Sequence, residues 1–361
     1  MTSLFGTFGF YLFRRFITTI LAVFFVVFLL IFAIDSIEVF RSAASSSTVS
    51  LMTVFSISLM RTPAVAEQII PFATLFGAMI AFLNLARRLE LVVIRASGVS
   101  VWQFIMPPIM AAGVLGLIAI LAFNPLSARL KSIAEDRTFS MGKTTNTTAE
   151  EIWLRQKTED GSAVIRAYRA SISAPNFDKM TIFSFDQTGR FLERYYADQA
   201  ELRGAAWKMK NVRIISPGVE ARVEKEFSFP TNLTAEQVRQ SLTPPETISF
   251  YDLPDWAARL SASGLDANRY VQQYRSLLAR PFLLIAMILV AASVSLRFSR
   301  FGVSGKAILA GLASGFALYI VNKISSDLGA VGTFSTSFAA FFPPVLASLI
   351  GILALLHQED G

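Results

Sequence analysis

Six nearly unbroken apolar stretches punctuate the chain, at about Phe16–Ile34, Pro63–Leu85, Val101–Phe123, Leu277–Leu296, Ala307–Ile324 and Phe338–Leu356. Each approaches the roughly 20 residues that a helix rising 1.5 Å per residue needs to cross a hydrocarbon layer about 30 Å thick. Three precede the middle of the chain and three follow it, which predicts six transmembrane helices arranged three plus three. The second run holds Glu67, Pro71 and Asn84, and the fifth ends in Asn322 and Lys323. Polar residues of this kind mark helices that face protein or a cavity instead of lipid.

Between the two apolar halves the period changes from helical to alternating. Ile152-Trp153-Leu154, Ala163-Val164-Ile165 and Met180 to Phe185 read as strands, with Asp186-Gln187-Thr188-Gly189 as a turn. Phe191 to Leu202, Trp207 to Ile215 and Ala221 to Phe229 continue the pattern. Six to eight short strands at this spacing predict a compact antiparallel sandwich or jelly roll, with Ile182 and Phe185 as inward positions. From Thr234 the pattern returns to helix, and Asp252-Leu253-Pro254-Asp255 marks a helix start before Trp256. The expected division is therefore 1–123 for helices one to three, 124–275 for the β-rich domain with a helical connector, and 276–361 for helices four to six.

Charge orients this arrangement. Arg14, Arg15, Arg87, Arg88, Arg95, Arg297, Arg300 and Lys306 fall in the short loops of one side, against Arg41, Arg61 and Lys323 on the other. By the positive-inside rule both termini face the cytoplasm and the long middle segment lies outside it, in the periplasm of a bacterial inner membrane. Composition agrees: 53% of the 361 residues are hydrophobic and 32 are phenylalanine, too much apolar surface for one soluble core. The net charge of +7 is spread beside the apolar runs instead of along one helix, which argues against nucleic acid. Zero cysteines exclude thiolate chemistry, and one histidine, His357 in the tail, supplies no metal site. No cofactor is expected.

The chemistry-bearing candidates lie near the membrane faces. Ala86 to Ser100 predicts a short amphipathic helix, about 86–98, with a glycine stop between runs two and three. It suits either an interfacial turn or a docking helix for a cytoplasmic partner. No phosphate-cradling G-x-x-x-x-G-K-[ST] loop exists, since Gly302-Val303-Ser304-Gly305-Lys306-Ala307 is too short and ends in alanine. The chain is not an ATPase, and any ATP must be hydrolysed by a partner. Glu67 and the group Asn322, Lys323 and Asp327 are candidates for ion coupling, although Lys323 and Asp327 have the spacing of an ordinary ion pair within one helix. Gly311-x-x-x-Gly315 offers a small-residue face, suited to a movable seam or to packing within the chain.

The segment Glu90-Leu91-Val92-Val93-x-x-Ala96-Ser97-Gly98, preceded by Ala86-Arg87-Arg88, resembles the coupling helix of the lipopolysaccharide-export permeases of the LptF/LptG family. Tyr11-Leu12-x-Arg14-Arg15-Phe16, Pro71 in helix two, the three-plus-three layout and the inserted β-domain extend the resemblance over essentially the whole chain, nearer the LptG branch. The resemblance implies a non-catalytic permease that pairs with an LptF-type permease. A dimeric LptB-type ATPase docks on the coupling helices, an LptC-type bitopic protein threads in a helix, and lipopolysaccharide passes to an LptA-type periplasmic bridge. It places Glu90 as the acidic contact to the ATPase, flanked by Arg87, Arg88 and Arg95.

The resemblance also implies basic residues near the outer end of helix one that meet a phosphorylated head group. Here Asp35 and Glu38 occupy that stretch, with Arg41 and then Arg61 as the cations. Either those two arginines bind the phosphates or the native head group is less anionic. Acyl chains require an apolar lining, for which Phe28, Phe32, Phe72 and Phe76 are candidates, with Phe24 and Phe25 beside them. Two other classes remain open on residues alone: an ion-coupled lipid flippase using Glu67, and a membrane-anchored periplasmic scaffold without transport.

Overall fold

The computed structural model describes residues 6–43, 51–140, 151–158, 161–169, 176–262, 265–299 and 305–359. In chain order the helices and strands are α1 (Thr7–Ala43), α2 (Leu51–Arg87), α3 (Glu90–Ala96), α4 (Val101–Ile118), a π turn (Ala119–Phe123) and α5 (Asn124–Ser140). Strands β1 (Glu151–Thr158), β2 (Gly161–Arg169), β3 (Asn176–Asp186), β4 (Phe191–Arg203), β5 (Ala206–Ile215) and β6 (Arg222–Pro230) follow. The chain then runs through α6 (Ala235–Leu242), α7 (Leu253–Ala262), α8 (Asn268–Ser299), α9 (Gly305–Ala330) and α10 (Thr336–Glu359). It divides into two compact units, a helical one of residues 1–137, 246–253 and 271–361 and a β-bearing one of residues 138–245 and 254–270.

Among the described residues, five helices in the spans Thr7–Arg41, Met52–Arg87, Val101–Thr138, Asn268–Leu296 and Thr336–Gln358 are long and apolar enough to cross a membrane. The sixth expected span lies inside α9, a helix of 26 residues interrupted by Lys306, Asn322, Lys323 and Asp327, and does not join those five. Lys323 and Asp327 form the expected ion pair at 2.9 Å, with both side chains exposed. Several helices outrun their apolar stretches. Asn124-Pro125 ends the third run, yet α5 carries the helix on to Ser140.

Close helix contacts hold the helical unit together. Phe16 of α1 meets Phe82 of α2 edge to face at 4.7 Å, and Phe82 in turn lies 5.9 Å from Phe104 of α4. Gly116 lets α4 approach α8 so closely that a Cβ there would lie 2.6 Å from the Pro281 Cα. Gly311 and Gly315 of α9 do the same against Met79 and Leu75 of α2. The small-residue face is therefore used for packing within the chain, where omitted side chains let backbones come together.

In the β unit the six strands form one antiparallel sheet in the order β1-β2-β3-β4-β5-β6. This corrects the jelly-roll expectation: every described pairing joins sequence neighbours, and no described pairing crosses the sheet. The sheet nonetheless curls. Gln156 of β1 accepts a hydrogen bond from Thr231, just past β6, at 2.6 Å and reaches the Pro230 carbonyl at 3.4 Å. Curling gives the sheet an apolar concave side that buries Ile165, Met180, Ile182, Trp207, Met209 and Ile214.

Two residues of positive φ keep those side chains on one side. Lys179 and Asn211 take positive φ of 51°, so Phe177 and Met180, and likewise Met209 and Val212, point the same way although three residues apart. The expectation that Ile182 and Phe185 both face inward fails for the complementary reason. No extra residue intervenes in β3 between them, so the two-residue period turns Phe185 to the opposite face, where it meets Phe191. The β3–β4 turn is closed by Asp186, whose carboxylate accepts hydrogen bonds from the Thr188 hydroxyl and the Arg190 backbone and is thereby held down at about 2.

Candidate functional site

Past Arg87 the chain turns through Arg88 and Leu89, whose φ is 58°, and enters α3, seven residues long. Gly98, at φ 82°, ends it, and Ser100 begins α4 with a reciprocal capping box: Gln103 N donates to Ser100 Oγ at 3.3 Å and Ser100 N to Gln103 Oε1 at 3.2 Å. Fixed at both ends, α3 divides its side chains. Leu91 and Ile94 are buried in the helical core beside Phe104 and Leu296, whereas Val92 and Val93 are 60% and 67% exposed. Leu89 is likewise exposed. The outward surface is apolar, with exposed Arg87 and Arg88 at its edge. Arg95 belongs to α3, and its side chain lies outside those described.

Glu90 does not project into solvent with them. A single guanidinium nitrogen of Arg15 donates to both carboxylate oxygens, at 3.0 and 2.9 Å, and the Tyr11 hydroxyl donates to Oε2 at 3.0 Å. Arg15 also donates to Tyr11, one helical turn away. Partial burial pushes the Glu90 carboxyl up, but the hydrogen bonds from Arg15 and Tyr11 outweigh it and leave the group below the usual carboxylate range. The start of α1 and the start of α3 are thus clasped. Sequence reading singled out both stretches and missed that they meet; a lone acid beside Arg87 and Arg88 draws attention to those neighbours instead.

At the other end of α1 and α2, Arg61 lies 3.9 Å from Asp35, so this cation is already committed to a carboxylate. Arg41 is exposed near the end of α1. The candidate acyl-lining residues are all half-buried. Phe28 lies beside Phe24, Phe32 beside Phe55, and Phe72 beside Tyr319 of α9, while Phe76 packs against the helical core.

Glu67 has the most complete set of partners. It is 6% exposed, pairs with Arg280 of α8, and accepts hydrogen bonds from Asn124 Nδ2 at 2.9 Å and Ser127 Oγ at 2.5 Å. The group joins the first three-helix half to the second. Arg280 escaped the sequence reading, although a cation inside an apolar run requires a buried partner and Glu67 is the acid of the second run.

On the β unit a groove of about 850 Å³ runs over β3 to β6. Phe177, Met209 and Phe227 give it apolar walls, and Arg203, Lys208 and Lys210 give it cations.

The family model described as lipopolysaccharide export system permease LptF/LptG matches residues 10–357. The chain is 24% identical to the lipopolysaccharide export system permease protein LptG of Haemophilus influenzae over 342 residues, 90% of this chain and 91% of that relative. It is also 24% identical to the protein of the same name in Escherichia coli K12 over 310 residues, 84% and 85% of the two chains.

Proposed function

This chain belongs to the LptF/LptG family of lipopolysaccharide export system permeases, and we propose that it is an inner-membrane permease subunit that extracts lipopolysaccharide and passes it to a periplasmic bridge. It spans the membrane six times, α9 included, with both termini cytoplasmic and the β unit periplasmic. Functionally the division falls at 1–123, 124–275 and 276–361. It holds no cofactor of its own, and ATP is used by a cytoplasmic ATPase dimer. A homologous permease and a bitopic membrane protein complete the complex.

The observation that carries the coupling step is α3. A short helix anchored by Leu91 and Ile94 presents Leu89, Val92 and Val93 outward, and such a patch fits a groove on a partner. In this reading Glu90 acts through Arg15 by fixing the angle of α3, while Arg87, Arg88 and Arg95 form the basic flank of the contact. Lipid enters beside α1 and α2, where Arg41 and Arg61 meet the head group and Phe28, Phe32, Phe72 and Phe76 meet acyl chains. Because Asp35 already faces Arg61, the entrance favours a head group with fewer anionic charges than a bisphosphorylated one. The ion-coupled alternative is weakened by the commitment of Glu67 to Arg280, Asn124 and Ser127.

The test is reconstitution with the partner permease, ATPase and bitopic subunit in liposomes. ATP-dependent delivery of lipopolysaccharide to an acceptor supports the reading, and Val93→Glu should reduce ATPase retention at least tenfold. Lipid that moves without ATP, or an ATPase held equally well by Val93→Glu, contradicts it.

A further inference from the structure

The chain passes between its helical and β-bearing units at α5, at both ends of residues 246–253, and at α8. Residues 246–253 form a strap that belongs to the helical unit although the chain on either side belongs to the other.

The strap is attached where Pro125, which has no N–H to donate, follows the π turn of Ala119–Phe123. The Tyr251 hydroxyl of the strap donates to the Leu121 carbonyl at 3.0 Å. One residue earlier, Phe250 N donates to Asn124 Oδ1 at 2.9 Å, and the Phe250 ring stacks on Tyr274 of α8 at 5.1 Å. Lys131 of α5 pairs with Glu246 at the start of the strap. The same Asn124 side chain gives its Nδ2 to Glu67, which also holds Ser127 of α5 and Arg280 of α8. One buried carboxylate of α2 therefore joins, directly or through Asn124, all three segments by which the chain passes to the β unit.

Helix α2 extends without a break from this carboxylate to Arg87, next to α3. The separation is twenty residues, about 30 Å along the axis. From this we infer that Glu67 is a positioning residue for transport: the node of Glu67, Asn124, Arg280 and Tyr251 carries displacement of α2 to the segments leading into the β unit, and so couples ATP turnover to lipid delivery. This rests on the permease reading, in which α3 receives the ATPase.

The test compares wild type, Tyr251→Phe, Glu67→Gln and the exchange Glu67→Arg with Arg280→Glu in the reconstituted complex, reading ATP turnover and lipopolysaccharide delivered per ATP. Tyr251 is 57% exposed, so removing its hydroxyl leaves folding intact and keeps the test usable if the Glu67 variants fold poorly. The expected result is ATP turnover within twofold of wild type, delivery per ATP reduced about threefold in Tyr251→Phe and at least fivefold in Glu67→Gln, and partial recovery in the charge exchange. Unchanged delivery per ATP in Tyr251→Phe and Glu67→Gln, with wild type active, overturns the inference and leaves the permease reading standing. Wild type that delivers nothing with ATP overturns the permease reading itself.

Discussion

Two carboxylates, Glu90 and Glu67, show how the same functional group does different work according to its surroundings. Glu90 is partly exposed, with a side chain 29% accessible, and its bonds to Arg15 and Tyr11 compete with water. Replacing it with glutamine should lower stability by about 1–2 kcal/mol at neutral pH, the range for a partly screened charged hydrogen bond. Because the folded state holds this carboxyl below its ordinary value, the stabilisation is present above the ordinary pKa of about 4.3 and is lost as pH falls through the lower folded-state value. Melting curves of wild type and Glu90→Gln should differ at pH 7 and converge well below pH 4; a constant gap across that range would show that the clasp is not ionic. Glu67 is buried and fully partnered, so removing one partner leaves a charge stranded in a low dielectric, a far larger penalty than exposing a surface group. Neither partnership was legible along the chain. Arg280 stands 213 residues from Glu67, and apolar flanks say that a partner exists without saying which.

At the scale of elements, helix contacts separate into rigid and forgiving ones. A methyl at Gly116 would meet the Pro281 backbone at 2.6 Å, whereas one at Gly311 would meet only the flexible end of Met79. Gly116→Ala should therefore cost about 1–3 kcal/mol as α4 and α8 are forced apart, and Gly311→Ala clearly less, since a methionine tail can rotate away. Thermal unfolding in detergent orders the two; equal effects would mean that the α4–α8 contact yields as easily as a side chain. The strands were legible because each is an alternating run bounded by turn residues, and all six lie where that pattern puts them. The face each residue takes was less legible. The positive φ at Lys179 and Asn211 shifts the phase by one, and neither residue type announces a positive φ as glycine does. The continuation through Asn124-Pro125 was hidden for a related reason, since a proline that ends most helices is accommodated here by the π turn before it.

For the whole molecule, the division into a helical and a β-bearing unit was legible from hydropathy alone, because bilayer and water select different periods and residue types. The site was legible only in part. The α3 segment stood out as an amphipathic piece between apolar runs, while its clasp to α1 and the strap at Asn124 depend on contacts between distant residues. The orientation proposed from the basic loops is open to direct measurement, because the chain has no cysteine to confuse labelling. Thr188, in the exposed β3–β4 turn, and Val93, on the outward face of α3, provide probes on the two sides of the proposed membrane. A membrane-impermeant maleimide should label Thr188→Cys in intact spheroplasts, and label Val93→Cys only after permeabilisation. Adding the ATPase should then shield Val93→Cys and leave Thr188→Cys unchanged. Labelling of both from the same side would contradict the topology, whereas correct sidedness without shielding would leave the topology intact and remove the ATPase from α3.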